Sequence, residues 1–194
     1  MSEKNPQSYD NDLKIILLEN TVRYLARHAL IEPESPTDTI VLDIETTGLN
    51  LIDDEILQLS IIAGSGETLY DSYFKPLHLT KWDAAQKING ILKHAKTIIG
   101  YNHLNFDIPF LQLFSAVFPA DAALFAVMTA FAPIYGEWDD EHNGYKWQRL
   151  STCAAYYGYD WGADTAHNSL ADCRATLHCY RAILQNGGVR HEHE

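Results

Sequence analysis

The sequence predicts an α/β domain with one central mixed β-sheet flanked by helices. Three observations carry that prediction. Short β-branched apolar runs come early and are joined by short turns, as in an antiparallel meander. Later segments alternate strand-like and helix-like patterns. The length, 194 residues, suits one domain with a substantial core.

The elements read as follows. Residues 1–10 are a polar tail. Asn11 to Ile31 carries Leu13, Ile16, Leu17, Leu25 and Leu30 at helical spacing with charges between, and Asn11 or Asp12 can cap it. The run from Glu32 through Pro33 and Pro36 breaks that helix. Thr39-Ile40-Val41-Leu42-Asp43 is β-branched and apolar, the first strand. Ile56 to Ala63 is the second, ending in a Gly64-Ser65-Gly66 turn, and Thr68 to Lys75 is the third. Lys81 to Leu92 is helical, with Ala84, Ala85, Ile88 and Ile91 on related faces. Thr97 to Tyr101 is a fourth strand. From Phe106 the spacing turns helical, Pro109 fits a first turn, and Phe110, Leu111, Leu113, Phe114 and Val117 form the apolar side. Ala122 to Ala132 is expected as a helix and the acidic segment Tyr135 to Tyr145 as a loop. Leu150 to Tyr157 and Ser169 to Leu184 are two further helices, and 187–194 is a disordered tail.

Apolar residues make up 46% and charged residues 21%, ordinary for a globular protein. The formal net charge of −12 counts against tight duplex binding, because phosphate affinity comes from Lys and Arg displacing counterions. Three cysteines, Cys153, Cys173 and Cys179, without a Cys-x-x-Cys spacing, argue against a disulfide framework or a zinc site and for a reducing, cytoplasmic setting. The polar N-terminus is no secretory signal, and no apolar stretch reaches the ~18–20 residues needed to cross a bilayer. No membrane partner is expected.

Chemistry concentrates in three places. In Asp43-Ile44-Glu45, strand alternation puts both carboxylates on one face and Ile44 on the other. Two adjacent acids repel, and a cation held by hard oxygen ligands offsets that repulsion. Acids that simply point into water from a strand end are the competing reading. Asp107 lies where a strand runs into a helix; it is either a functional carboxylate or a helix cap. His167 precedes Asp172 by five positions, a loop histidine before an acid in the first turns of a helix.

Taken together, VLDIETTGL, IIGYNHLNFDIPFL and AHNSLADCRATL resemble the three Exo motifs of the DEDDh exonucleases. That branch of the ribonuclease H-like superfamily includes DnaQ-like proofreading subunits, oligoribonuclease and RNase T. The sister DEDDy branch has Tyr four residues before the last acid, where this chain has Asn168. The resemblance spans about 39–184 and implies a ribonuclease H-like fold, with 1–38 as an N-terminal extension carrying the amphipathic helix and 39–186 as the exonuclease domain.

The resemblance also implies roles. Asp43, Glu45, Asp107 and Asp172 would hold two divalent cations, Mg²⁺ or Mn²⁺, with Asp43 shared between them, and His167 would be the general base. The turn Thr46-Thr47-Gly48-Leu49 would cradle the terminal nucleotide, with Asn102 and Phe106 shaping its pocket. The implied activity is 3′→5′ exonucleolytic release of nucleoside 5′-monophosphates from a single-stranded or frayed 3′ end. DNA, in proofreading or repair, is the favoured substrate. RNA is the alternative, and an inactive nuclease-like binding module a further one.

Lys75, Lys81, Lys87, Lys93 and Lys96 are either a phosphate-facing rim or a solvated helix face. Trp147 is expected as a core anchor rather than a stacking platform. Two departures from the family stand out. Ile88-Asn89-Gly90-Ile91-Leu92 replaces the usual Ile-His-Gly-Ile-Thr, and a helix before the second motif is missing. The Asn11–Ile31 helix is expected to fill that place, or else to bind a polymerase or a second copy of the chain.

Overall fold

The computed structural model describes residues 38–74, 81–164 and 166–185, with backbone alone for 81–83. The expected N-terminal helix and C-terminal tail lie outside the described residues.

Five strands form the sheet: β1 (Thr39–Thr46), β2 (Ile56–Ala63), β3 (Thr68–Tyr73), β4 (Thr97–Gly100) and β5 (Ala123–Ala126), in the order β3-β2-β1-β4-β5. β1–β2 and β2–β3 are antiparallel, the expected meander, while β4 and β5 add in parallel beyond β1. Helix α1 (Lys81–Leu92) connects β3 to β4 and α2 (Asp107–Leu113) connects β4 to β5. Then come α3 (Val127–Tyr135), a small hairpin of β6 (Trp138–Asp139) and β7 (Gly144–Tyr145), α4 (Leu150–Tyr156) and α5 (Ser169–Gln185).

The two-residue period of a strand divides the core in two. Ile40, Leu42 and Ile44 of β1, with Leu59, Ile61 and Ile98, face α1 and α2, where Ala84, Ile88, Leu92, Phe110 and Leu111 meet them. Val41, Ile62 and Ile99 face the other way, onto α3, α4 and α5. Asp43 and Glu45 continue the Val41 series. They therefore leave the sheet on the side that α5 covers.

Four expectations are corrected. Ala122–Ala132 is not one helix: Ala123–Ala126 pairs with Thr97–Gly100 as a strand, and the helix begins at Val127. No breaker separates the two, and alanine's helix propensity masked a strand that exists only because β4 lies beside it. The helix from Phe106 stops at Leu113, because the chain turns at Ser115, in left-handed conformation, and Leu113 and Val117 are 67% and 68% exposed. Within the Tyr135–Tyr145 loop, β6 and β7 pair. Trp147 is no core anchor, being 61% exposed.

At the replaced Ile-His-Gly-Ile-Thr position, Asn89 braces the end of α2. Its amide donates to the Ser115 carbonyl at 3.0 Å, and its carbonyl accepts from the Val117 N–H at 2.8 Å.

Candidate active site

Three elements deliver the acids to one edge of the sheet. β4 ends at Gly100, so its pairing with β1 stops at Val41–Ile99 and β1 runs on without that neighbour. Asp107 takes the neighbour's place: its Oδ1 accepts the Ile44 N–H at 3.0 Å. Asp107 is thus not a cap in the ordinary sense. It is the first residue of α2, buried, and its carboxylate satisfies the backbone of the strand that carries Asp43 and Glu45. The turn into α2 is tight. A Cβ on Gly100 would lie 2.4 Å from that of His103, so only glycine fits there.

Asp172 comes from the first turn of α5. Its Oδ2 accepts the His167 N–H at 3.2 Å, while Oδ1 is buried with no hydrogen-bond partner among the described residues. Ligand atoms of Glu45, His167 and Asp172 lie within 4.8 Å of one another. His167 is exposed and holds a left-handed φ of 68°, a region in which histidine is enriched among non-glycine residues.

The electrostatics are those of acids crowded away from water. Asp43 is only half-buried by surface area, yet enclosure by protein is the first cause raising its pKa well above the ordinary value, ahead of Asp107, Asp172 and Glu45. Burial lifts Asp107 to about 7 against the opposing Ile44 N–H. Burial also raises Glu45, with Asp172 adding and His167 subtracting. It raises Asp172 too, where the His167 backbone and ring oppose the rise. Carboxyls that hinder one another's ionisation, and a buried oxygen without a donor, are the donor set a hard cation satisfies.

The other predicted residues sit at the end of β1, on the turn after it and in the turn before α2. Thr46 Oγ1 donates to the Gly48 carbonyl at 2.6 Å. Thr47 Oγ1 donates to Asp54 at 2.8 Å, and Asp54 also accepts the Asn50 N–H at 2.8 Å. These bonds leave Leu49 84% exposed at the tip. Phe106 packs on Phe110, ring centroids 5.0 Å apart, and belongs in part to the core. Asn102 shapes the turn before α2, its carbonyl accepting from the Asn105 and Phe106 N–H groups. Of the five lysines, Lys75 and the side chain of Lys81 lie outside the described residues. Lys87 and Lys93 are exposed on and just after α1, which packs on the sheet face opposite α5, and Lys96 is bonded to Asp38.

A polar network that the sequence reading missed anchors α5. Gln58 and Ser60 lie opposite Glu45 and Asp43 on β2, on the same face. Asp71 Oδ1 accepts from Ser60 Oγ at 2.9 Å and from Gln58 Nε2 at 3.0 Å. Ser60 Oγ is 2.6 Å from Ser169 Oγ, and Gln58 Oε1 accepts the Ser169 N–H at 3.2 Å. Next to them, Asn168 donates to the Tyr73 hydroxyl at 2.8 Å. The signal was present: two polar residues, two apart, inside the otherwise apolar strand ILQLSIIA.

Solved structures share this fold. The Neurospora crassa Pan2 catalytic unit, described as a protease and nuclease domain, aligns at 17% identity and TM-score 0.56, over 82% of this chain and 29% of that one. Escherichia coli Exonuclease I in complex with a dA16 oligonucleotide aligns at 17% identity and TM-score 0.59, over 76% of this chain and 40% of that one. Its zinc-bound single-stranded DNA complex gives the same identity, score and coverage. This chain thus spans well under half the length of each. No curated protein sequence matches it. The family model described as the RNase_H superfamily matches residues 40–183, from the start of β1 to the last turn of α5, and the chain belongs to that superfamily.

Proposed function

We propose that the chain is a divalent-cation-dependent 3′→5′ exonuclease of the DEDDh, DnaQ-like type, releasing nucleoside 5′-monophosphates, with DNA as the favoured substrate. One observation carries the reading: burial at one sheet edge raises the pKa of four carboxylates from β1, α2 and α5, with acidic neighbours adding for Asp43, Glu45 and Asp107, beside an exposed histidine and a buried Asp172 oxygen with no partner among the described residues. Asp43, Glu45, Asp107 and Asp172 would hold two cations, Mg²⁺ or Mn²⁺. When bound, such cations supply the positive charge that offsets these acids and the substrate phosphate.

The chain's own residues do the rest. His167, at the exposed lip, accepts the proton of the attacking water. The new bond forms from that water to phosphorus, the bond to the 3′ oxygen breaks, and that oxygen takes a proton from solvent, so the shortened strand leaves with a 3′-hydroxyl. The Thr46–Leu49 turn, with Asn102 and Phe106, receives the terminal nucleotide. Leu49 has the open apolar surface to rest against its base. The Exonuclease I structures with dA16 and dT13 oligonucleotides support a single strand as the substrate form.

The test uses 5′-labelled single-stranded DNA, duplex DNA and short RNA, with Mg²⁺, Mn²⁺ or EDTA, and an Asp43→Ala control. A ladder of shortened products that needs the cation and disappears in the control is expected, strongest on single-stranded DNA. Cation-independent cleavage, or cleavage by the Asp43→Ala protein, contradicts the proposal. A ladder on RNA alone moves the assignment to the RNA-degrading relatives.

A further inference from the structure

The groove between α3 and the β6–β7 hairpin plays no part in the chemistry above. It is an open cavity of about 740 Å³, within the range of small-ligand sites. Its floor is Thr129, Ala132 and Pro133 of α3, and its wall includes Tyr145 and Trp147. Trp147 is 61% exposed, and Tyr145, also exposed, meets Trp138 edge to face at 5.2 Å. A tryptophan left this open on a hairpin held by side-chain bonds gains nothing for the core, and such surfaces serve recognition.

Charge says what the groove would recognise. Lys146 is paired with Glu137 at 2.8 Å and His142 with Asp139 at 3.0 Å. Among the residues that line the groove, Lys146 is therefore already matched by a carboxylate, and the whole chain is acidic. Phosphate would be a poor ligand here, whereas the flat face of an unpaired base needs no charge.

Position says which base. β1, β4 and β5 are parallel neighbours, so their C-terminal ends share one edge. Asp43 and Glu45 stand at that end of β1, and α3 starts at that end of β5, its Met128 N–H donating to the Tyr101 carbonyl at 3.1 Å. The Tyr101 hydroxyl in turn donates to the carbonyl of Gln148, next to Trp147, at 2.7 Å. Two strand spacings of about 4.8 Å separate β5 from β1, roughly 10 Å. We infer that this groove is a second nucleic-acid subsite, in which Trp147 and Tyr145 stack unpaired bases of the strand upstream of the scissile end. The inference rests on the nuclease reading for the identity of its ligand.

The test compares the full chain with Trp147→Ala and Trp147→Phe. Three readouts are used: hydrolysis of a labelled thymidine oligomer of about ten residues, hydrolysis of the p-nitrophenyl ester of thymidine 5′-monophosphate, and binding of the same oligomer in EDTA followed by fluorescence anisotropy of its label. Trp147→Ala should raise the oligomer KM and weaken binding about tenfold, the order of loss for one stacked base, at every salt concentration. The small ester should be hydrolysed as before, which also reports intact folding. Trp147→Phe should restore most of the binding. An unchanged oligomer KM and affinity in Trp147→Ala overturns the subsite and leaves the groove to a protein partner. If the unaltered chain cleaves neither substrate, the nuclease reading fails. The EDTA binding arm still decides the groove on its own, because loss of oligomer binding in Trp147→Ala supports stacking there and equal binding refutes it.

Discussion

Asp107 does two jobs that pull in opposite directions. Its carboxylate completes the backbone pairing of β1, which favours the fold, and its charge is buried beside other acids, which disfavours it. A folded pKa of about 7, against 3.8 ordinarily, means the folded chain binds the extra proton between those values. The associated stability is present below about pH 4 and is lost as pH rises through about 7. Asp107→Asn keeps an oxygen for the Ile44 N–H and removes the charge. In EDTA the variant should match the unaltered protein near pH 4 and exceed it near pH 8 by on the order of 2–4 kcal/mol, read from urea melts. Hydrolysis should nonetheless fall by more than about a hundredfold, beyond the loss typical of an outer-shell partner. His103 has the opposite sign. Burial pushes its pKa from 6.5 to about 3, so its contribution is lost as pH falls through that window, and both proteins share it. At the exposed lip, His167→Ala should lower kcat about 10²–10⁴-fold, the range for a general base. Cation-induced stabilisation should persist in that variant, since four carboxylates remain; its loss would show that the ring is a ligand instead.

Helix α5 carries Asp172, and its loop carries His167, yet the first turn of α5 rests on polar rather than apolar surface. Because Ser60 Oγ donates to Asp71, the Ser169 hydroxyl must donate to Ser60, so the chain of donors ends at the Asp71 carboxylate. Removing that terminal acceptor leaves buried Gln58 and Ser60 donors unsatisfied. Asp71→Ala should therefore cost about 1–3 kcal/mol in chemical denaturation. It should also lower kcat more than it raises KM, by letting Asp172 drift. Asp71→Asn, which keeps an acceptor, should recover most of both. An unchanged kcat in a destabilised Asp71→Ala protein would mean that the network serves the fold alone.

The chain as a whole carries a net charge of −12, and none of its described helices is long and apolar enough to cross a membrane. Long-range attraction of a polyanion is therefore weak, and the local site has to supply it. α1 lies across the sheet from α5, so Lys87 and Lys93 read as a solvated face. Reversing both to Glu should leave the oligonucleotide KM and its salt dependence within about twofold. A steeper loss would restore them as a phosphate rim.

Local pattern made much of this legible. The period-two runs of β1 and β2 and the Asp-x-Glu spacing sit in backbone whose alternation is set by sterics, so the shared face of Asp43 and Glu45 could be read from the chain alone. The three motifs, in order, named the residues that fold to one edge. What could not be read depends on neighbours distant in sequence. β5 is a strand because β4 lies beside it, Asp107 is buried because β4 ends early, and Gln58 and Ser60 are polar because α5 lands on them. Trp147 is exposed because the hairpin carries it off the core. Pairing and burial are properties of what packs against a segment, and no window of sequence contains that information.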